Sequence, residues 1–495
     1  MAAWRSAATF PKPLGTCSNG ETVHPLFPMF RRLASATLLS ALLVLTTHGS
    51  DKPNFVLVMA DDQGWGDMGY YGHPFVKTPH FDEMARSSLR FDRFYSAAPN
   101  CSPTRASVLT GRNPVRVNVL NHGRSMRPQD TTIAEALKTV GYATGHFGKW
   151  HVGSCQPISP VNPTNSGFDA WLSTPNFFDL DPVMSRNGIA EQMMGESSMV
   201  IVDAALEFIR EQSDKGTPFL SIIWFGSPHS PFDAMGSDKQ LYQGEEMAGY
   251  YREITAMDRA FGKLRNEIRK LEIHENTLLW YCSDNGGLNT ETSGGREKKG
   301  SLYEGGLRVP AILEWPRRIN NSRTTETPCV TSDIYPTLVE IAGARVANQF
   351  ALDGVSLLEL INGNTLNRST GIGFWQYPHP GRLTYADRMM IALLEAQKQG
   401  LEHDPNGRLD LDAGKISKQY PENEFPGHSA WLEFPWKLHR IVDQGEETLE
   451  LYNLISDSQE TTNLHSQESS HTERMLAHLE EWQIAVMRSL NGKDY

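Results

Sequence analysis

Asn54-Phe55-Val56-Leu57-Val58-Met59-Ala60-Asp61-Asp62-Gln63-Gly64-Trp65-Gly66 is an apolar run of strand length that stops on two carboxylates and two glycines. A strand with no polar alternation has both faces covered, as in the parallel sheets of α/β proteins. Such sheets take their ligands at the carboxyl ends of the strands. Side chains alternate along extended chain, so Asp61 and Asp62 face one ion only where the strand stops and Gly64 and Gly66 let it turn. Taken alone, the two residues also suit a helix cap or a solvated turn.

The pattern recurs further on. Pro218–Gly226 (PFLSIIWFG) runs into Ser227-Pro228-His229, and Thr277–Cys282 runs into Ser283-Asp284-Asn285-Gly286-Gly287. A shorter strand, Ala143–Phe147, leads to Gly148-Lys149-Trp150-His151, where continued extension puts Lys149 and His151 on one face. Hard oxygen donors released from two strand ends suit Ca²⁺ better than Zn²⁺, which prefers His and Cys. Apolar spacing of three and four predicts helices at Glu191–Gln212, Glu245–Ile273 and Ser332–Gly343, with shorter ones after Thr78-Pro79 and over Thr131–Val140. Prolines and asparagines make Ser154–Gly188 a long loop, of the kind that rims a binding site. The reading is a large α/β domain over residues 51–365, then a division in the polar run Asn362–Ser369. Residues 366–495 form a small C-terminal part with strands at Gly371–Trp375, Trp436–Val442 and Glu450–Asn453 and a terminal helix at Glu473–Met487, an antiparallel sheet with a helix.

With 58 acidic against 46 basic residues the chain carries a net charge of −12, so it lacks the footprint of a nucleic-acid binder. An anionic substrate then needs a local positive pocket. Arg31-Arg32, the apolar run Ala36–Leu45 and His48-Gly49-Ser50 have the form of a secretory signal peptide, with translation starting at Met29. The run is short for a membrane anchor, so the expected product is exported, secreted or periplasmic, and held by no stable anchor. Of the five cysteines, Cys17 precedes this signal and Cys101 is claimed by chemistry, which leaves Cys155, Cys282 and Cys329 and at most one disulfide.

Cys101-Ser102-Pro103-Thr104-Arg105, continuing through Thr110-Gly111-Arg112, sets a nucleophile beside two arginines. Arginine favours a reactive thiolate, and Ser102 and Pro103 suit the cap and first turn of a helix running to Thr110. A buried structural cysteine is the competing reading. The run closely resembles the signature of the type I, formylglycine-dependent sulfatases. So do NFVLVMADDQGWGD, GKWHVG, SPHSPF, SDNGG, KKGSLYEGGLRVPAI and ELYNL, and the resemblance extends from about Lys52 to about Leu464.

That resemblance implies an alkaline phosphatase-like α/β domain around a mixed sheet, with a smaller C-terminal domain. It implies that Cys101 becomes formylglycine, through a maturation enzyme that reads Cys101, Pro103 and Arg105. It implies Ca²⁺ on Asp61, Asp62, Asp284, Asn285 and residue 101. Arg105 would hold the aldehyde hydrate, Lys149 and His151 would contact diol and sulfate, and His229 with Lys299 would stand near the leaving oxygen. Lys298 competes for the last role, and Lys299 is preferred because it directly precedes Gly300. A serine found in some relatives after the GKWH strand has no counterpart at Asn176, Phe177 and Phe178. A hydrated aldehyde carries two hydroxyls on one carbon, so one can attack sulfur and the other can expel the product, which is covalent catalysis in two easier steps. The expected substrate is a sulfated saccharide or aryl sulfate. The rim candidates are Phe177, Phe178, Trp375, Tyr377 and His379, although core packing explains aromatics as often. A phosphonate or phosphate diester hydrolase and a non-catalytic binder of sulfated glycans are the alternatives.

Overall fold

The structure, a computed structural model, describes residues 52–233 and 235–495. The expected signal peptide and the start at Met29 lie outside the described residues. In chain order the large sheet takes β1 (Asn54–Ala60), β2 (Leu89–Tyr95), β3 (Ala143–Lys149), β4 (Ala170–Thr174), β5 (Val183–Arg186), β6 (Ile189–Gln192), β7 (Phe219–Trp224), β8 (Thr277–Ser283), β9 (Arg308–Glu314), β10 (Arg323–Thr325) and β11 (Cys329–Val330). Its order is β10-β2-β9-β8-β1-β7-β3-β4-β5-β6, with β11 also on β2.

The sheet is mixed. β1 lies parallel to both β7 and β8, and β3 lies parallel to β7 and β4. β9 is antiparallel to β8 and β2, and β5 and β6 close the far side as antiparallel strands. Alternation along β1 divides the core. Phe55, Leu57 and Met59 pack with Val108, Leu109, Leu137 and Leu338 from helices Cys101–Thr110, Ile133–Lys138 and Ile334–Ala342. Val56, Val58 and Ala60 pack with Ile201, Leu206, Met257 and Phe261 from helices Ser197–Asp214 and Ala248–Lys270. β1, β7, β3 and β8 therefore run in one direction at the centre, and their carboxyl ends open on the same side.

A second, antiparallel sheet follows in the order β12 (Ile372–Gln376), β13 (Gly427–Glu433), β14 (Trp436–Asp443) and β15 (Glu446–Asn453). Helix Ser469–Leu490 covers it, burying Met475 and Leu479 against Trp431, Leu438 and Leu451.

Three expectations need correction. The stretch Ser154–Gly188 is no structureless loop: β4 and β5 lie within it and extend the large sheet. The helix expected from Glu191 begins at Ser197, because residues 189–192 pair with β5 and the Glu196 carboxylate caps the helix by accepting from the Ser198 and Met199 N–H groups. The helix that opens the nucleophile motif starts at Cys101 itself, with Asn100 in the cap position, and Ser102 Oγ instead accepts from the Gly123 N–H at 2.8 Å. Cys155, Cys282 and Cys329 are buried free thiols. No helix among the described residues is long and apolar enough to cross a membrane.

Candidate active site

The central strands deliver their terminal residues to one point. Asp61 and Asp62 follow β1, Asp284 and Asn285 follow β8, Lys149 ends β3, and His229 lies past β7. Backbone bonds tie these ends together: the Asp61 N–H donates to Ser227 O at 3.0 Å and the Asp284 N–H donates to Ala60 O at 3.1 Å. The turn after β1 meets the turn after β8 so closely that a Cβ on Gly287 would stand 2.6 Å from the Gly64 nitrogen. Only glycine permits that approach. Asp62 at φ 70° and His151 at φ 55° hold left-handed backbone within the site, a conformation that non-glycine residues keep only where the surroundings impose it.

Cys101 opens its helix directly over these carboxylates. Its Sγ lies 3.3 Å from Asp61 Oδ1 and 3.9 Å from Asp62 Oδ1. Ligand atoms of Asp61, Asp62, Cys101 and Asp284 all fall within 4.8 Å of one another, and all four residues are buried. Asn285 donates through Nδ2 to Asp62 Oδ1 at 2.8 Å, while its buried Oδ1 has no hydrogen-bond partner. A buried acceptor without a donor is costly. Set among three carboxylates, it is the donor set a hard cation such as Ca²⁺ takes.

Cations ring the cluster. Lys149 Nζ bonds Asp61, and Lys299 Nζ reaches Asp62 at 2.5 Å. Arg105, fully buried, grips Asp284 Oδ2 through Nη2 at 2.6 Å and Nε at 3.1 Å, and its Nη1 donates to Lys149 O at 3.1 Å. Lys299 is set by its neighbours: its N–H donates to Gly287 O, and the Gly300 N–H donates to Pro99 O, both at 3.1 Å. Lys298 stays exposed. His229 Nε2 stands 3.7 Å from Asp62 Oδ2, and its ring stacks on Phe177 with centroids 4.6 Å apart and planes 13° from parallel. Its Nδ1 contacts the Ser230 carbonyl at 2.6 Å. A carbonyl only accepts, so Nδ1 carries a proton and Nε2 is the atom left to gain or lose one.

Electrostatics assign protonation states. Burial pushes the Asp61 carboxyl up, but Lys149, His229, Arg105 and Lys299 outweigh it and hold Asp61 well below the usual carboxylate range. Burial raises Asp284, and Asp61 adds to that rise against Arg105 and Lys149. Burial and Asp61 drive the Cys101 thiol up, so the expectation of a thiolate is corrected: Arg105 is committed to Asp284, and the sulfur faces carboxylates. Burial, Lys149 and Arg105 hold His151 far below the ordinary histidine value, which leaves it neutral.

Among the rim candidates, Phe178 and Trp375 are core residues. Tyr377 packs edge-on to Trp375 and Tyr420. Phe177 touches a site residue, His229. Sequence reasoning missed His122 and Arg408. Burial, Lys299 and Lys149 lower His122, and Arg408 is among the charges that lower His151, so both feel the cluster. His122 stands on an exposed loop and Arg408 on a half-buried segment, and no pattern in the chain marks either.

The sulfatase family model matches residues 53–344. The chain is 30% identical over 386 residues to N-acetylgalactosamine-6-sulfatase of Canis lupus familiaris, covering 68% of this chain and 72% of that protein. It is 31% identical over 371 residues to arylsulfatase G of the same species, covering 63% and 68%. In fold it is similar to Ps i-CgsB solved with k-i-k-neocarrahexaose, with TM-score 0.71 and 23% identity, over 87% of this chain and 93% of that one. A match through the whole strand-end cluster, with identity to sulfatases over two thirds of the sequence, makes this chain a member of the sulfatase family, a sulfuric ester hydrolase of the alkaline phosphatase superfamily.

Proposed function

We propose that the protein removes sulfate from sulfated saccharides, with Asp61, Asp62, Asp284, Asn285 and residue 101 holding Ca²⁺ and with Cys101 matured to formylglycine by a dedicated enzyme. The observation that carries this reading is the convergence of three carboxylates, an unpartnered amide oxygen and Cys101 within one ring of cations. Relatives named for N-acetylgalactosamine-6-sulfate hydrolysis and a similar structure holding a saccharide support a sugar substrate. When bound, Ca²⁺ offsets charge on the sulfuryl oxygens, and the aldehyde hydrate supplies one hydroxyl to attack sulfur and a second to expel the product.

The chain's own groups complete the chemistry. Lys149 and Lys299, already beside Asp61 and Asp62, place fixed positive charge where sulfuryl oxygens gain negative charge. His229, tautomer fixed by the Ser230 carbonyl and ring braced on Phe177, presents Nε2 for the leaving sugar oxygen. Neutral His151 accepts the proton of the hydroxyl that expels sulfate. Arg105 locks Asp284 and the Lys149 carbonyl, so the two strand ends keep one spacing. We also infer export, from the Arg31-Arg32 and Ala36–Leu45 pattern.

The test is sulfate release from defined saccharides by wild type and by Cys101→Ser. Wild type should release sulfate, and its peptide containing residue 101 should carry an aldehyde that reacts with hydrazides. Cys101→Ser, if its serine is left unconverted, has one hydroxyl and no geminal partner, so it should turn over little and accumulate a stable sulfated protein. A fully active wild type with an alkylatable thiol at residue 101 would refute the mechanism.

A further inference from the structure

A polar cavity of about 290 Å³, lined by none of the residues given a role in the chemistry above, opens against the segment that follows the Cys101 helix. Two distant stretches build it: the segment 118–127, which follows the Cys101 helix, and the excursion between β12 and β13. They are tightly joined. The Arg382 N–H donates to His122 O at 2.9 Å, and Asn121 Nδ2 donates to His379 O at 2.7 Å. A Cβ on Gly123 would lie 1.9 Å from Arg382 O, and one on Gly381 would lie 2.0 Å from the His122 ring. Because the Gly123 N–H donates to Ser102 Oγ, this wall is anchored to the residue next to Cys101.

The cavity is charged out of keeping with the chain. Arg124, Arg127, Arg382, Lys415 and Lys418 line it against Asp410 and Asp412, in a protein whose net charge is −12. Asp410 is already engaged: Arg408 Nε donates to both its oxygens, at 2.8 and 2.9 Å, and Arg382 adds a contact at 3.2 Å. Among the described residues Arg124 donates only to the Pro380 carbonyl, at 3.0 and 3.3 Å. Lys415 and Lys418 have no ion-pair partner among the described residues, and Lys418 Nζ rests 4.4 Å from the centre of the Tyr420 ring. Arg127, 3% exposed, keeps a buried Nε without a hydrogen-bond partner. Burial together with the like charges of Arg382 and Arg408 destabilises the Arg124 cation, which an incoming anion relieves.

We propose that this cavity is a second oxyanion subsite, which takes a sulfate or carboxylate on a sugar next to the one being desulfated. It rests on the saccharide reading above and makes the substrate a polyanionic oligosaccharide. With Nε and Nη2 on the Pro380 carbonyl, Arg124 keeps Nη1 to donate to such an oxyanion, and the exposed Lys415 and Lys418 add positive charge to the lining.

The test is equilibrium binding by the full-length protein, which does not depend on turnover. Absence of sulfate release therefore counts against the esterase reading, and binding alone decides the subsite. Three labelled hexasaccharides are titrated: chondroitin 6-sulfate, the same sugar desulfated so that only carboxylates remain, and a carrageenan carrying sulfates and no carboxylates. Arg124→Gln combined with Lys418→Gln should weaken a charged hexasaccharide about tenfold and flatten its salt dependence. Lys415→Gln combined with Lys418→Gln alters only exposed side chains and should weaken it about threefold. Lys215→Gln, which alters an exposed lysine paired with Glu211, should bind as wild type does. A loss confined to the sulfated sugars assigns sulfate, and a loss shared with the desulfated sugar assigns any oxyanion. Wild-type affinity no tighter than for a monosulfated monosaccharide, or equal affinity in wild type and both double variants, overturns the proposal.

Discussion

Asp284 shows how one side chain serves three partners at once. It accepts from Arg105 and from the Asp62 N–H, and its ligand oxygen belongs to the proposed calcium set. Asp284→Ala should abolish calcium binding in calorimetry and lower turnover by about 10²–10³-fold, since it also frees the buried Arg105 guanidinium. A variant with wild-type turnover ends the assignment. A second carboxyl acts through pH. Glu253 accepts from Ser227 Oγ at 2.8 Å, and burial together with Asp179, Glu196 and Asp233 pushes it up to about 8 from an ordinary 4.5. The folded form therefore favours the protonated acid, so its contribution to stability is full below about pH 4.5 and is lost as pH rises to about 8. Glu253→Gln should remove that decline in urea denaturation measured across the window. An identical pH dependence in the variant contradicts it.

At the scale of elements, the turns after β1 and β8 are one unit, because Gly64 and Gly287 bring their backbones into contact. Gly287→Ala should separate them by a few tenths of an ångström or more. The expected result is calcium affinity and turnover reduced at least about tenfold with the thermal transition largely retained. Unchanged calcium affinity contradicts it. How far elements were legible follows from the same physics. β1, β7 and β8 are buried on both faces, so an unbroken apolar run announces each. β5 and β6 are only four residues long and carry Arg186, Glu191 and Gln192, so pairing rather than composition makes them strands. β2 reads Leu89-Arg90-Phe91-Asp92-Arg93-Phe94-Tyr95, and its charges hid it. Helix Ala386–Lys398 also went unread, although Met390 and Leu393 reach the main core. Polar residues at strand ends were legible because glycines and prolines mark where each strand stops. His122 and Arg408 were not, since only tertiary contact brings them near.

Across the whole molecule, a buried ionic network joins the small sheet to the segment that carries Lys299. Lys437 on β14 lies 3.0 Å from Glu304 and 3.1 Å from Glu460, His439 bonds Glu460 at 2.8 Å, and the Glu304 N–H donates to Glu460 at 2.6 Å. Lys437→Met leaves two buried carboxylates facing each other without a cation and should cost about 3–5 kcal/mol, read as a fall in the urea midpoint. A midpoint unchanged from wild type shows the network to be dispensable. The burial of Cys101, the first residue of its helix, 3% exposed and set against the Asp61 carboxylate, bears on order in time. A maturation enzyme of the proposed kind, reading Cys101, Pro103 and Arg105, would find all three buried in the finished fold. The proposed maturation would then act while the chain is still emerging or unfolded, and a molecule that folded first would stay inactive.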